Sequence, residues 1–168
     1  MEKEFIQFNK DGLPIRINRL SMRREGAYRG IHSHPAVEII TVKRGILSCY
    51  VNGDRFSVGA NQTVLINSNI GHTLSSEDAE IVYVQTDISG YKEDGYRGEF
   101  SALYEFVSSS QAKPYLVVSE NRELTEILQK IQNRYYENRE ESRWYLKAYV
   151  YELAAFLFAN SFVQPSSG

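Results

Sequence analysis

The chain has 168 residues and a mass of 19.3 kDa, enough for one domain with a core of useful size. Hydrophobic residues make up 42% and charged residues 24%, which excludes wholesale disorder and collagen-like repeats. A net charge of −2 and a sequence pI near 6.0 exclude nucleic-acid binding by electrostatics alone.

The one cysteine, Cys49, has no internal partner, and a reducing cytoplasm is its simplest setting. The opening residues, MEKEFIQFNKDG, are charged and mixed and lack the apolar run of a secretion signal. The most apolar stretch, Ala148 to Val163, is broken by Glu152, Asn160 and Ser161. It falls short of the roughly 18 apolar residues that a membrane span needs.

In chain order, residues 10–29 are basic, with Lys10, Arg16, Arg19, Arg23, Arg24 and Arg29, whereas residues 77–105 are acidic. Such asymmetry reads as solvated surface. Val37–Val42 is rich in β-branched residues and ends at Lys43-Arg44-Gly45. Ile46–Val51 and Asp54–Val58 flank Asn52-Gly53, the pair that a tight I′ hairpin turn favours. Thr63–Ile66 and Ile81–Thr86 are further strands. Short strands at this spacing predict a small barrel or sandwich.

The period then changes. Leu124, Ile127, Leu128, Ile131 and Tyr135 follow the helical i, i+3, i+4 rule, with Ser119 as the expected N-cap. Glu137–Ser142 breaks the stripe. A second stripe runs through Leu146, Tyr149, Val150, Leu153 and Leu157, with Ala148, Tyr151, Ala155 and Phe158 on the opposite flank. A helix apolar on two sides is buried on two sides, so a face for a second copy is expected here, with a single well-covered core helix as the alternative. The polar end, Gln164 to Gly168, reads as a frayed end or a linker.

All three histidines fall in one pattern. His32, His34 and Glu38 share parity on an extended segment, with Ile40 and Val42 continuing the same, inner face. Glu38 lies further along and needs a bend or bulge to join the histidines. His72 follows Thr63–Ile66 and the turn Asn67-Ser68-Asn69, and could close the site from a second strand. Three imidazoles and a carboxylate suit a divalent transition metal (Zn, Ni, Mn or Fe). A polar cavity of hydrogen-bonded histidines without metal is the alternative.

Gly26, His32-Ser33-His34, Glu38 and Gly45 occupy every fixed position of the first cupin motif, G-x5-HxH-x3-E-x6-G. In the second motif His72 stands in place, with Asn61, Asn67 and Asn69 where the family has Gly, Pro and Gly. This resemblance implies a mainly β fold with C-terminal α: a cupin-like double-stranded β-barrel, or jelly roll, followed by two antiparallel helices. The HxHxxxE strand, the Asn-Gly hairpin, the phrase from Val64 to Leu74 and the two-helix tail together resemble the effector-binding and dimerisation domain of AraC-type transcription regulators.

That likeness implies a barrel, with its N-terminal arm and connecting segment, over residues 1–110 and a helical hairpin over 111–168. It also implies a small effector, such as a sugar, and a homodimer through Leu146, Tyr149, Val150, Leu153 and Leu157. DNA would be bound only by a helix-turn-helix domain that this chain does not contain, which makes the chain a fragment of a longer regulator or a stand-alone cupin. The effector pocket is expected at His32, His34, Glu38, His72, Tyr83 and Arg16, with Arg19 and Tyr50 as lesser candidates. No catalytic nucleophile is expected: Cys49 shares a side with Leu47 and Val51 and reads as a buried small hydrophobe. A metal-dependent cupin enzyme, of dioxygenase or isomerase type, is the alternative to a regulator.

Overall fold

The computed structural model describes residues 1–8, 13–22, 30–87, 113–137 and 139–160. Gly26, the connecting segment Ser89–Ser110, the Phe158 side chain and the end Gln164–Gly168 lie outside the described residues. The elements are β1 (Glu2–Lys3), β2 (Ile15–Ser21), β3 (His32–Ser33), β4 (Val37–Arg44), β5 (Ile46–Val51), β6 (Asp54–Gly59), β7 (Thr63–Ile66), β8 (His72–Ser75), β9 (Glu80–Thr86), β10 (Tyr115–Val118), α1 (Arg122–Tyr136) and α2 (Ser142–Ala159). One sheet runs β1-β3-β8-β5-β6 and the other β10-β7-β4-β9-β2. This is the jelly-roll arrangement, mainly β with two helices at the C-terminal end.

Each strand of the second sheet has two jobs, because alternate side chains meet different partners. On β4, Ile40 and Val42 join Leu47, Val51, Val64 and Ile81 in the core between the sheets. Val37 and Ile39 point the other way, into a second core with Ile15, Ile17, Leu65, Val84 and the helices. Strands buried on both faces read as near-continuous apolar runs. That is why β4 was conspicuous in the sequence while β2, with arginines interleaved, was not.

Turn chemistry holds the register. Asn52 (φ 50°) and Gly53 (φ 96°) both adopt the left-handed backbone of the expected I′ turn, and Val51 pairs with Asp54. At Gly45 (φ 78°) a Cβ would lie 2.7 Å from Asp78 Oδ1 and 2.9 Å from its carbonyl oxygen, so only glycine fits. Asn61 (φ 65°) and Asn69 (φ 60°) stand where the cupin motif has glycine, and both take the left-handed conformation that asparagine tolerates. The substituted turn therefore keeps its shape.

Helix α1 begins later than expected. The chain stays extended after β10 until Asn121, whose Oδ1 accepts from Leu124 N at 2.9 Å; Asn121, not Ser119, is the N-cap. Leu124, Ile127, Leu128 and Ile131 are buried as the periodicity predicted.

The second stripe requires a larger correction. Leu146, Val150, Leu153 and Leu157 are between 0% and 3% exposed, inside the chain's own core with α1 and the sheet, and Tyr149 packs at its edge. Leu146, Val150, Leu153 and Leu157 are thus covered by the chain itself and have no area left for a second copy, whereas Tyr149 stays partly exposed. What α2 leaves outward is the opposite flank: Ala148 and Ala155 are exposed, and Trp144 is 71% exposed.

Because Leu153 is buried within the monomer, Leu153→Ala should cost about 2–5 kcal/mol in urea unfolding. Leu153→Lys should abolish the cooperative unfolding transition rather than release a folded monomer.

Candidate functional site

The site lies where the chain crosses from one sheet to the other. His32 ends up on β3 and Glu38 on β4, with the crossing at His34-Pro35-Ala36. A change of sheet, rather than the expected bulge, brings Glu38 back to the histidines. His72 on β8 sits directly opposite His32 in the strand register. The His32 and His72 rings lie 4.4 Å apart and those of His34 and His72 5.1 Å apart. One ligand atom from each of the three rings falls within 4.8 Å of the others.

Backbone carbonyls fix the tautomers. His32 Nδ1 donates to Gly30 O (3.0 Å), His34 Nδ1 to Ala36 O (2.9 Å) and His72 Nδ1 to Ile70 O (2.8 Å). A carbonyl can only accept, so each Nδ1 carries a proton and each Nε2 faces the cluster, as a lone pair on a neutral ring or as an N–H donor on a protonated one. Glu38 Oε2 lies 3.1 Å from His34 Nε2 and 3.0 Å from His72 Nε2. An ionised carboxylate also only accepts, so something positive must sit between these atoms, either a proton or a cation.

The electrostatics follow from burial and pairing. Burial alone would push the Glu38 carboxyl up, but hydrogen bonds from His34 and His72 outweigh it and hold the group down at about 2. His72 is likewise penalised by burial, yet its bond to Glu38 raises it above the ordinary value of 6.5. Burial and then the nearby His72 lower His32, which stays neutral.

The donor set, three Nε2 lone pairs with one buried carboxylate, fits a divalent transition metal. His32, His34, His72 and Glu38 would hold it. When bound, such a metal supplies Lewis acidity to an oxygen of a bound molecule.

Beside the cluster, cross-strand pairing lays residues out in rows on the inner face of the second sheet. The row nearest the histidines is Arg16, Gln85 and Glu38; next comes Asn18, Tyr83 and Ile40; then Leu20, Ile81 and Val42. Polarity falls from one row to the next. A cavity of about 30 Å³, lined by Glu4, Arg16, His32, Glu38, Tyr83 and Gln85 with apolar Leu20, Met22, Leu74 and Ile81, opens on this face.

Arg16 Nη2 donates to the Tyr83 hydroxyl (3.1 Å). With its amide oriented to satisfy its neighbours, Asn18 accepts from Arg16 Nε (3.1 Å) and from the Tyr83 hydroxyl (2.9 Å). Of the six residues expected in the pocket, Arg16, His32, Glu38 and Tyr83 line this cavity, whereas His34 and His72 belong to the adjoining histidine cluster and do not line it. Arg19 is in neither: that side chain points to the other face, lining a groove of about 560 Å³ between the sheet and α1. Tyr50 lies outside the barrel under Arg55. Cys49 is buried as expected, and burial with the nearby Glu38 pushes its thiol up to about 12.

Three polar residues were not expected at the site: Gln85 and Glu4, which line the cavity, and Asn18, which bonds to Arg16 and Tyr83. Asn18 and Gln85 share parity with Arg16 and Tyr83, a signal the sequence carries. Glu4 carries none: it reaches His32 Nε2 (3.4 Å) only because β1 pairs in parallel with β3, a contact across the whole N-terminal segment.

The family profile of the AraC-like ligand binding domain matches residues 18–154. The chain belongs to that family. No curated protein matches it. Among solved structures, this AraC-like domain is similar to apo ToxT from Vibrio cholerae strain SCE256, at a TM-score of 0.59 and 13% identity, covering 95% of this chain and 62% of that one. It is also similar to wild-type ToxT from the same strain with an unsaturated fatty acid bound, at 0.58 and 13%, covering 96% and 61%. A third similar structure is ToxT of Vibrio cholerae O395 bound to (E)-4-(8-methylnaphthalen-1-yl)but-3-enoic acid, at 0.55 and 12%, covering 87% and 56%. The chain therefore spans about three fifths of the length of these ToxT chains. At such identity the likeness concerns the fold. Among the described residues no helix is long and apolar enough to cross a membrane.

Metal uptake is directly checkable. Zn, Ni, Mn or Fe should bind near one equivalent in calorimetry, and His72→Ala should lose that binding. Uptake should weaken as pH falls, starting above the ordinary imidazole value of 6.5, because His72 is raised and a protonated imidazole cannot ligate.

Proposed function

We propose that this domain is the effector-sensing part of an AraC-type transcription regulator, taking a small molecule in the cavity beside the histidines. The observation that carries this reading is the polar cavity of Arg16, Gln85 and Tyr83 inside the barrel of a chain from the AraC-like ligand binding family. The mechanism is linkage: an effector that binds one barrel conformation better shifts the population of that conformation and so biases an attached DNA-binding domain. Such a regulator works in the cytoplasm, and its DNA contacts belong to a segment outside this chain.

A sugar suits the cavity less well than a smaller polar metabolite. Sugars stack on open aromatic faces, and here Arg16 lies 5.8 Å over the Tyr83 ring. The free space of about 30 Å³ is also far below a hexose and holds one or two waters.

Homodimerisation through α2 is retained as a proposal, with a different seam. Trp144, Ala148, Tyr151 and Ala155 recur at the spacing of a coiled-coil stripe, and the two alanines are exposed. Ala148→Glu, a change at an exposed site, should leave the fold intact and shift the sedimentation profile from dimer to monomer.

The imidazole array favours one second reading, a metal-dependent cupin enzyme. A metabolite screen by thermal shift separates the two. A sensor gives a compound that raises the melting temperature and stays chemically unchanged on prolonged incubation with metal-loaded protein; consumption of that compound would establish the enzyme instead.

A further inference from the structure

The amide of Gln85 is half satisfied. Gln85 is 4% exposed, and its Nε2 donates to Glu38 Oε1 at 3.3 Å. That bond fixes the amide, because turning it would set a carbonyl oxygen against a carboxylate. Its Oε1 is left buried with no donor. A buried unmade hydrogen bond carries the full desolvation cost of the acceptor.

Directly across the strand pair stands Arg16, on the same cavity. Its guanidinium gives one N–H to Tyr83 and one to Asn18, leaving three of its five donors. Among the described residues no carboxylate pairs with it. Among the described residues, a half-buried cation without a counter-ion therefore stands on the same cavity as a buried acceptor without a donor.

Glu38 and Glu4 lie toward the histidines, and both carry negative charge in the same cavity. An anionic group on the ligand consequently belongs at Arg16, and a donor belongs at the Gln85 end.

We infer that the cavity takes a small carboxylate bearing a hydrogen-bond donor, hydroxyl or ammonium, on the adjacent carbon. The carboxylate accepts from Arg16, and the donor closes the open valence of Gln85 Oε1. The free space of about 30 Å³ is smaller than such a molecule, so the lining side chains must move apart to admit even a ligand of a few carbons. This inference rests on the effector-site reading and specifies its ligand class.

Four compounds of nearly one shape provide the test: L-lactate, L-alanine, propionate and lactamide, titrated calorimetrically into the full chain. Lactate, alanine or both should bind at least about tenfold tighter than propionate, which lacks the donor, and than lactamide, which lacks the charge. The lactate–alanine comparison identifies the donor. Arg16→Gln should erase the preference over lactamide, and Gln85→Met the preference over propionate. Should Gln85→Met fail to fold, Gln85→Asn, which withdraws the carbonyl by one methylene, replaces it.

Equal affinity for propionate or lactamide, preferences that survive both substitutions, or no binding by any of the four would overturn the inference. In the last case a metabolite screen read by Tyr83 side-chain resonances decides the rest. A hit of another class leaves the effector site standing without this ligand class, whereas no hit removes both.

Discussion

A carboxylate buried between two sheets cannot be left alone, and much of this molecule follows from that constraint. Glu38 sits on the inner face of a strand otherwise made of Val and Ile, where an uncompensated charge would be prohibitive. It is kept by donors from three elements: His34 from the crossing between sheets, His72 from β8 and Gln85 from β9. The carbonyls of Gly30, Ala36 and Ile70 set the other side of each imidazole. Fixing one acid thus aligns the His34 and His72 rings and turns their Nε2 atoms to one point beside His32. It also leaves the far end of the Gln85 amide unbonded.

The second sheet separates sensing from scaffolding by parity alone. Even-numbered positions of β2 and β4 (Arg16, Asn18, Glu38, Ile40) face the barrel, whereas Ile15, Ile17, Val37 and Ile39 face the helices. A change of pairing or tilt driven from the cavity is therefore felt directly by α1 and α2 through the same strands. This is a short physical route from a bound molecule to the helical end of the chain, carried by packed side chains rather than by a long relay.

How much of this was legible in the sequence depended on how local each signal is. His32, His34 and Glu38 were readable because their parity and spacing lie within seven residues, His72 because it holds its place in the second cupin motif, and the Asn-Gly hairpin because the turn dictates its own residues. The site of α1's cap was not: Ser119 and Asn121 are both good caps, and only the extent of β10 chooses between them. The outward face of α2 was misjudged for a related reason. Both flanks are apolar, and the sequence cannot say which one the sheet and α1 will cover. Glu4 was invisible because a parallel pairing between residues 2–3 and 32–33 leaves no periodic trace.

The central claim is that the carbonyl-anchored histidines form one side of a ligand site. Long-range nitrogen–proton spectra of the three imidazoles test it most directly, recorded before and after addition of a compound that stabilises the protein. The account predicts a protonated Nδ1 on all three rings, with the Nε2 resonance of His32 moving on addition. An Nε2-protonated tautomer at His32, or Nε2 resonances that do not move when the compound binds, would contradict it.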